Sequence, residues 1–178
     1  MYKRQLQLEY LTAEDRGTTT ADHFLAAYRS TYKISEHDYA FGALRYEDDR
    51  FAGYDQRTTE VLGYGRKLYT GPRFLWDVEA GAGARQTDLT DGTSTDEAIY
   101  RLATLLTWKI SETSAVKEEL SVEGGSDNTY TESITELKLR INAALAMKVT
   151  FSVKDNSDVP AGIKNTDTAT AVTLVYDF

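Results

Sequence analysis

The chain has 178 residues, no cysteine, and 20 Lys and Arg against 28 Asp and Glu, for a net charge of −8. Disulfides and thiolate metal sites are thereby excluded, and the acidic balance argues against nucleic acid, whose phosphates require clustered cations. No stretch approaches the roughly 18 apolar residues of a membrane helix, and the opening MYKRQLQLEYL lacks the apolar middle of a secretory signal.

The chain reads as ten runs ended by turn clusters, near 2–12, 20–34, 38–48, 57–69, 73–87, 97–110, 114–124, 131–142, 145–155 and 168–178. In the first, Leu6, Leu8 and Tyr10 alternate with Gln5, Gln7 and Glu9. GALRYEDD and EVLGYGRKL, in the third and fourth, alternate poorly and fix no parity. The sixth, Ala98 to Ile110, also places Ile99, Leu102, Leu106 and Ile110 near helical spacing. Flanking strands and the lack of helix punctuation favour a strand there as well.

The later runs alternate cleanly. Val116, Leu120 and Val122 oppose Lys117, Glu119, Ser121 and Glu123. Leu137, Leu139 and Ile141 oppose Glu136, Lys138 and Arg140. Met147, Val149, Phe151 and Val153 oppose Lys148 and Lys154, and Val172, Leu174, Tyr176 and Phe178 end the chain. Period two signals strand. Pro72 and Pro160 both fall between runs, where strands tolerate them.

The connections read alternately longer and shorter: AEDRGTTT, SEHD, DRFAGYDQ, TGPR, DLTDGTSTD, SET, GGSDNTY, NAALA and DNSDVPAGIKNTDTA. An up-and-down meander would place all the short ones on one side. This pattern predicts an all-β, antiparallel up-and-down transmembrane β-barrel of ten strands, in a single domain over 1–178. One face would meet lipid through Trp76, Val78, Leu102, Leu106, Leu137, Leu139, Met147, Val149, Phe151, Val172 and Leu174. The other would line a lumen with Arg29, Asp77, Glu79, Arg85, Arg101, Glu119, Glu136, Lys138, Arg140 and Lys148.

Aromatics on the apolar parity fall near the strand ends. Phe74, Trp76, Trp108, Tyr32, Tyr176 and Phe178 lie on the short-turn side, and Tyr10, Phe24 and Tyr100 near the longer connections. Two such bands suit interfacial girdles. A mean hydropathy of −0.46 fits strands of which only half the side chains meet lipid. Leu174, Tyr176 and the terminal Phe178 form an amphipathic ending that looks like the assembly signal of outer-membrane barrels.

Several unlike motifs occur in order: LQLEYL, FGALRYEDDRFAGYDQRTTEVLGYGRKL, DVEAGAGARQ, SVEGGSDNT and SVKDNSDVPAGIKNTDTATAVTLVYDF. Through them the chain, from about Gln5 to Phe178, resembles the salt-induced outer membrane proteins of Gram-negative bacteria, a family of unknown function. The resemblance implies an outer-membrane location and a barrel of about twelve strands. It also implies a secretory signal, then a strand pair with a Trp-Gly-like start and a Ser/Thr-Gly-Asn turn, all of which this sequence lacks.

Remaining motifs are weaker. GYGRKL and GAGARQ contain G-x-G but do not complete a dinucleotide fingerprint, and small residues there let long lumen side chains pass. Asp22–His23 could activate water in a membrane-embedded hydrolase, yet no G-x-S-x-G accompanies it; His37 sits in a short turn. Carboxylates of the longer connections, among them Glu14, Asp15, Asp48, Asp91, Asp127 and Asp158, would attract divalent cations weakly without EF-hand spacing. The expectation is therefore an envelope or structural barrel without enzyme chemistry, cofactor or bound metal. Its partners would be membrane lipid or detergent and the assembly machinery. Its lumen would be either plugged by ion pairs or a narrow ion or water path. The alternative of another class is a soluble lipocalin-like barrel with an apolar ligand.

Overall fold

The structure, a computed structural model, describes residues 2–15, 18–49, 54–126, 128–159 and 164–176. Ten strands account for nearly all of them: β1 (Tyr2–Asp15), β2 (Thr18–Lys33), β3 (Asp38–Asp49), β4 (Tyr54–Thr70), β5 (Phe74–Leu89), β6 (Ser94–Lys109), β7 (Ser114–Gly124), β8 (Thr129–Arg140), β9 (Leu145–Asn156) and β10 (Thr166–Tyr176). They form one sheet in chain order, each strand antiparallel to the next. The sheet curls, so that β1–β4 face β6–β8 across a cavity. Among the described residues β1 and β10 do not pair with each other, and the curl leaves two edges.

The ambiguous sixth run is a strand. β6 is register-paired along its length, from Ser94↔Asp88 to Phe74↔Trp108 on one side and Tyr100↔Gly124 to Lys109↔Ala115 on the other. Here tertiary pairing overrides a local helical spacing. The weak alternation of EVLGYGRKL also has a cause. β4 pairs regularly through this stretch, but the apolar Val61 and the small Gly63 and Gly65 take the concave face while Glu60 takes the convex one, so polarity does not follow the faces. Register shifts lie only at its ends, between Tyr54 and Gln56 and between Lys67 and Tyr69.

Residues 34–37, 71–73, 110–113 and 141–144 connect strands at one end, here called the turn end. Three of these turns use one device. Ser35 Oγ accepts the N–H of His37 and Asp38, Ser111 Oγ those of Thr113 and Ser114, and Asn142 Oδ1 those of Ala144 and Leu145, all between 2.9 and 3.2 Å. A short polar side chain thus replaces strand bonds where the backbone reverses.

At the opposite, loop end the expected long connections are mostly shorter than their sequences suggested. Between the strands lie 90–93, 125–128 and the longer 157–165. Asp88, Leu89, Ser94, Thr95 and Asp96 of DLTDGTSTD and Gly124, Thr129 and Tyr130 of GGSDNTY are paired strand instead, with Thr suited to a pleated sheet. β4, at 17 residues, runs about 55 Å at ordinary strand rise. In the turn at 90–93, Asp91 accepts the N–H and hydroxyl of Thr93, which holds its carboxyl below the usual carboxylate range.

Alternation sorts side chains to two faces. On the convex face Leu6, Leu62, Leu102, Val172 and Leu174 are all more than half exposed. The concave face carries the buried residues, among them Phe41, Val61 and Ile99 with Arg85, Glu47 and Glu123. Glycines make room there. A Cβ on Gly63 would stand 2.4 Å from the Phe41 ring, and one on Gly83 1.7 Å from the Glu60 carbonyl oxygen. The two G-x-G motifs are therefore packing features of paired strands. Replacing Gly83 with Ala should destabilise the protein by about 1–3 kcal/mol through forced backbone separation. Ala84→Gly, on the convex face, should cost no more than about 1 kcal/mol. Urea midpoints in detergent micelles compare the two.

Candidate functional site

The concave face is built in layers because residues directly opposite in adjacent strands share a face. Nearest the loop end, Glu47 stands opposite Arg57, and Arg57 opposite Thr87. The next layer runs Arg45, Thr59, Arg85 and Glu97. Below it lie Ala43, Val61, Gly83 and Ile99, then Phe41, Gly63, Gly81 and Arg101. A further layer holds Tyr39, Gly65, Glu79 and Ala103.

Arg85 is the centre of the upper layers. Its side chain is 2% exposed, and it donates to Glu97 Oε1 and Glu123 Oε2, both at 3.2 Å. Arg101 donates to the other oxygen of Glu123 at 2.6 Å. Arg45 reaches Glu47 at 2.8 Å and lies 5.7 Å from the ring centre of Tyr130, which comes from β8 on the facing wall. Arg57 stacks over Tyr54 at 3.9 Å. These groups form a dense plug near the loop end. Burying these charges is tolerable because Arg85, Arg101 and Arg45 each meet a glutamate, while Arg57 meets the Tyr54 ring. Three Nε–H groups, of Arg45, Arg57 and Arg85, nevertheless lack an acceptor among the described residues.

A second knot lies lower. Glu79 accepts from Arg29 at 2.6 Å and from the Tyr39 hydroxyl at 2.8 Å, while Arg29 sits 4.2 Å from the Phe41 ring centre. Between the knots is a cavity of about 360 Å³, lined by Gln5, Gln7, Arg29, Arg45, Lys117, Glu119, Glu123 and Glu132 among others.

All ten lumen charges anticipated from the sequence share the concave face, but the structure groups them differently. Arg29 and Glu79 pair, Arg85 and Arg101 share Glu123, and Lys148 pairs with Glu136 at 3.1 Å. Glu119 meets Lys117 at 3.2 Å, both substantially exposed. Asp77 stands opposite Lys67. Lys138 and Arg140 were expected among ion pairs but have no carboxylate within 4 Å among the described residues. Lys138 stands directly opposite Lys148, and Arg140 opposite Ala146. Arg45, Glu47, Arg57 and Glu97 were not anticipated. They lie in or beside stretches whose alternation was obscured, and Tyr130 reaches them only across the curl.

Other candidates resolve simply. His23 Nδ1 contacts Asp49 Oδ2 at 3.1 Å, its partner in register, whereas the adjacent Asp22 alternates to the other face. His37 lies in an exposed turn. Among the described residues no group of three or more His, Asp or Glu side chains converges for a metal. Leu174 and Tyr176 are exposed on the convex face; Phe178, Glu14, Asp15 and Asp127 fall where no side chain is described.

The convex face also carries charged side chains, among them Arg4, Glu60, Arg66 and Glu118. The two oxygens of Glu118 accept from Ser133 Oγ at 2.8 Å and Thr135 Oγ1 at 2.5 Å. The Trp76 indole is likewise satisfied, donating to Thr104 Oγ1 at 2.8 Å. Convex aromatics gather toward the strand ends, with Tyr2 against Tyr32 at 4.9 Å and Tyr69 against Phe74 at 5.8 Å at the turn end. Phe24 meets Tyr46 at 6.3 Å toward the loop end.

A family model described as "Protein of unknown function, DUF481" matches residues 2–178. The chain belongs to the DUF481 family. The likeness read from the sequence, from about Gln5 to Phe178, lies within the matched residues. "Uncharacterized protein YdiY" of Escherichia coli (strain K12) is 29% identical over 158 residues, covering 88% of this chain. The match spans 62% of that relative's length. No solved structure matches.

For this DUF481 chain, Arg85→Met should destabilise by about 3–5 kcal/mol, because Glu97 and Glu123 lose a buried partner. Lys117→Met, at a largely exposed pair, should change stability by less than about 1 kcal/mol. Equilibrium unfolding of the two variants in the same detergent checks the contrast.

Proposed function

We propose that the protein is a β-barrel of the Gram-negative outer membrane with an envelope role, and that its lumen is sealed rather than an open pore. The observation that carries the membrane reading is the inverted polarity of the sheet. Leu62 is 76% and Leu174 67% exposed on the convex face, while Arg85 is 2% exposed on the concave one. A soluble lipocalin-like barrel needs the reverse, an apolar interior. Here the buried apolar cluster among the described residues is Phe41, Val61 and Ile99, with Tyr39 beside it. Aromatics toward both strand ends and a lipid-facing indole with a satisfied N–H agree with an interfacial position.

In hydrocarbon the unpaired backbone of β1 and β10 must also find partners. These strands run antiparallel to each other, so closure occurs either directly or through an even number of added strands. The sealed lumen follows from the plug. Arg85, Glu97, Glu123 and Arg101 join β5, β6 and β7, and Arg45 reaches across to Tyr130. Such a knot would narrow the lumen near the loop end. Lipid or detergent is then the obligatory partner, and the C-terminal strand, with Leu174 and Tyr176, is the segment offered to assembly machinery.

Two measurements test this. Folded protein should run with heat-dependent mobility on detergent gels, and a chain that stays monodisperse and folded without detergent would contradict the membrane reading. In planar bilayers the protein should be nearly silent. The double variant Arg85→Ser with Glu123→Gln should raise conductance by about an order of magnitude, since it removes the ion pairs that bridge the strands. Large steady conductance of the unmodified protein would contradict the seal.

A further inference from the structure

The turn end of the concave face carries a row of cations that the plug does not use. Lys109 stands opposite Ala115, Ala115 opposite Lys138, and Lys138 opposite Lys148, so three lysines share one line across four strands. Two residues nearer the turn, Arg140 lies opposite Ala146. Lys3, at the start of β1, and Lys33, at the end of β2, extend the same face at the same end. Of these, Lys148 alone has a carboxylate within 4 Å among the described residues, namely Glu136.

Like charges in adjacent strands repel, and a sheet ordinarily separates them or interleaves acids. Here the residues between are small, Ala115 and Ala146. They leave open space rather than a counter-charge. That space is a depression of about 130 Å³ lined by Lys109, Lys138 and Arg140 together with Ser111, Thr113 and Ser114. Glu112 in the turn is its one acidic neighbour. The Ser111 and Ser114 hydroxyls share a hydrogen bond at 2.7 Å, and Ser111 Oγ holds the turn by accepting two backbone N–H groups. The turn is thus fixed beside the cations.

We infer that this basic depression binds a small multivalent oxyanion of the phosphate class. Three cationic side chains supply charge, and hydroxyls of the β6–β7 turn supply uncharged donors. Phosphate offers several acceptor oxygens to such a set, and the guanidinium of Arg140 suits paired oxygens. A single carboxylate would leave donors unused. The chain is acidic as a whole, at −8, so the site depends on local concentration of cations and not on net charge.

The inference rests on the barrel reading only in placing the site at one mouth of the lumen. Its test is therefore separable. Pyrophosphate is titrated by calorimetry at low ionic strength into protein folded in neutral detergent, with heat-dependent mobility confirming the fold first. A parallel titration uses micelles doped with phosphatidylglycerol. Saturable pyrophosphate binding is expected, weakened at least about ten-fold by Lys109→Ala with Lys138→Ala, and weakened further as salt rises. Arg4→Gln and Arg66→Gln, cations at the same end but on the convex face, should leave it unchanged. Response to the lipid alone, lost in the Lys109/Lys138 variant and kept in the Arg4/Arg66 variant, would support the site and assign its phosphate to a headgroup. Binding of neither by correctly folded protein, or equal loss in the convex-face variant, would overturn the inference. Failure of the mobility test together with detergent-free solubility would instead count against the barrel reading, and the pyrophosphate titration would then decide the site in buffer.

Discussion

The sheet is organised by one constraint: charges enclosed on the concave face must be paired where water is scarce. Arg85 meets Glu97 and Glu123, Arg101 meets Glu123, Arg45 meets Glu47, and Arg29 meets Glu79. Removing a charge from water is expensive, and an opposite charge with hydrogen-bond geometry offsets most of that expense. Because successive strand residues alternate faces, committing the ionic set inward commits the apolar set outward. The exposed Leu6, Leu62, Leu102 and Leu174 are therefore a consequence of the same choice that buries Arg85. In water such an outer face would drive aggregation; against acyl chains it is the favoured arrangement.

The concave face is not uniform along its axis. Toward the loop end the charges pair densely and share space with Tyr54 and Tyr130. Toward the turn end, Lys109, Lys138 and Arg140 have no carboxylate within 4 Å among the described residues, and Glu112 is the acidic residue lining the depression beside them. The same residue types thus occur in two settings, and the neighbour decides which: cations beside glutamates are paired, and cations beside alanines are not.

Much of this was legible in the sequence. Clean alternation over Val116–Glu123 and Met147–Lys154 assigned faces correctly, because those strands pair without irregularity. The stretches around Arg45, Glu47 and Arg57 were opaque although β3 and β4 pair there in regular register, because polar and apolar side chains occur on both faces: Asp48 and Glu60 lie on the convex face and Phe41 and Val61 on the concave one. Period-two reading needs a contrast of polarity between the faces, which these stretches lack. The partners of each ion were also hidden. Arg85 and Glu123 are 38 residues apart, and their meeting depends on strand stagger, which alternation does not encode. Lys138 and Arg140 looked like members of ion pairs because Glu136 is close in sequence, yet Glu136 pairs with Lys148. Connection lengths misled for another reason: polarity marks where a chain leaves an apolar environment, not where it stops pairing.

The central claim is that the convex face lies against lipid. Nitroxide labels placed singly along β10 in reconstituted bilayers address it most directly, read by collision with oxygen, which partitions into lipid, and with a water-soluble nickel complex. Labels at Val172 and Leu174 should show high oxygen and low nickel accessibility, and labels at Ala171 and Thr173 the reverse. Uniform nickel accessibility at Val172 and Leu174, with no alternation along the strand, would place that face in water and contradict the account.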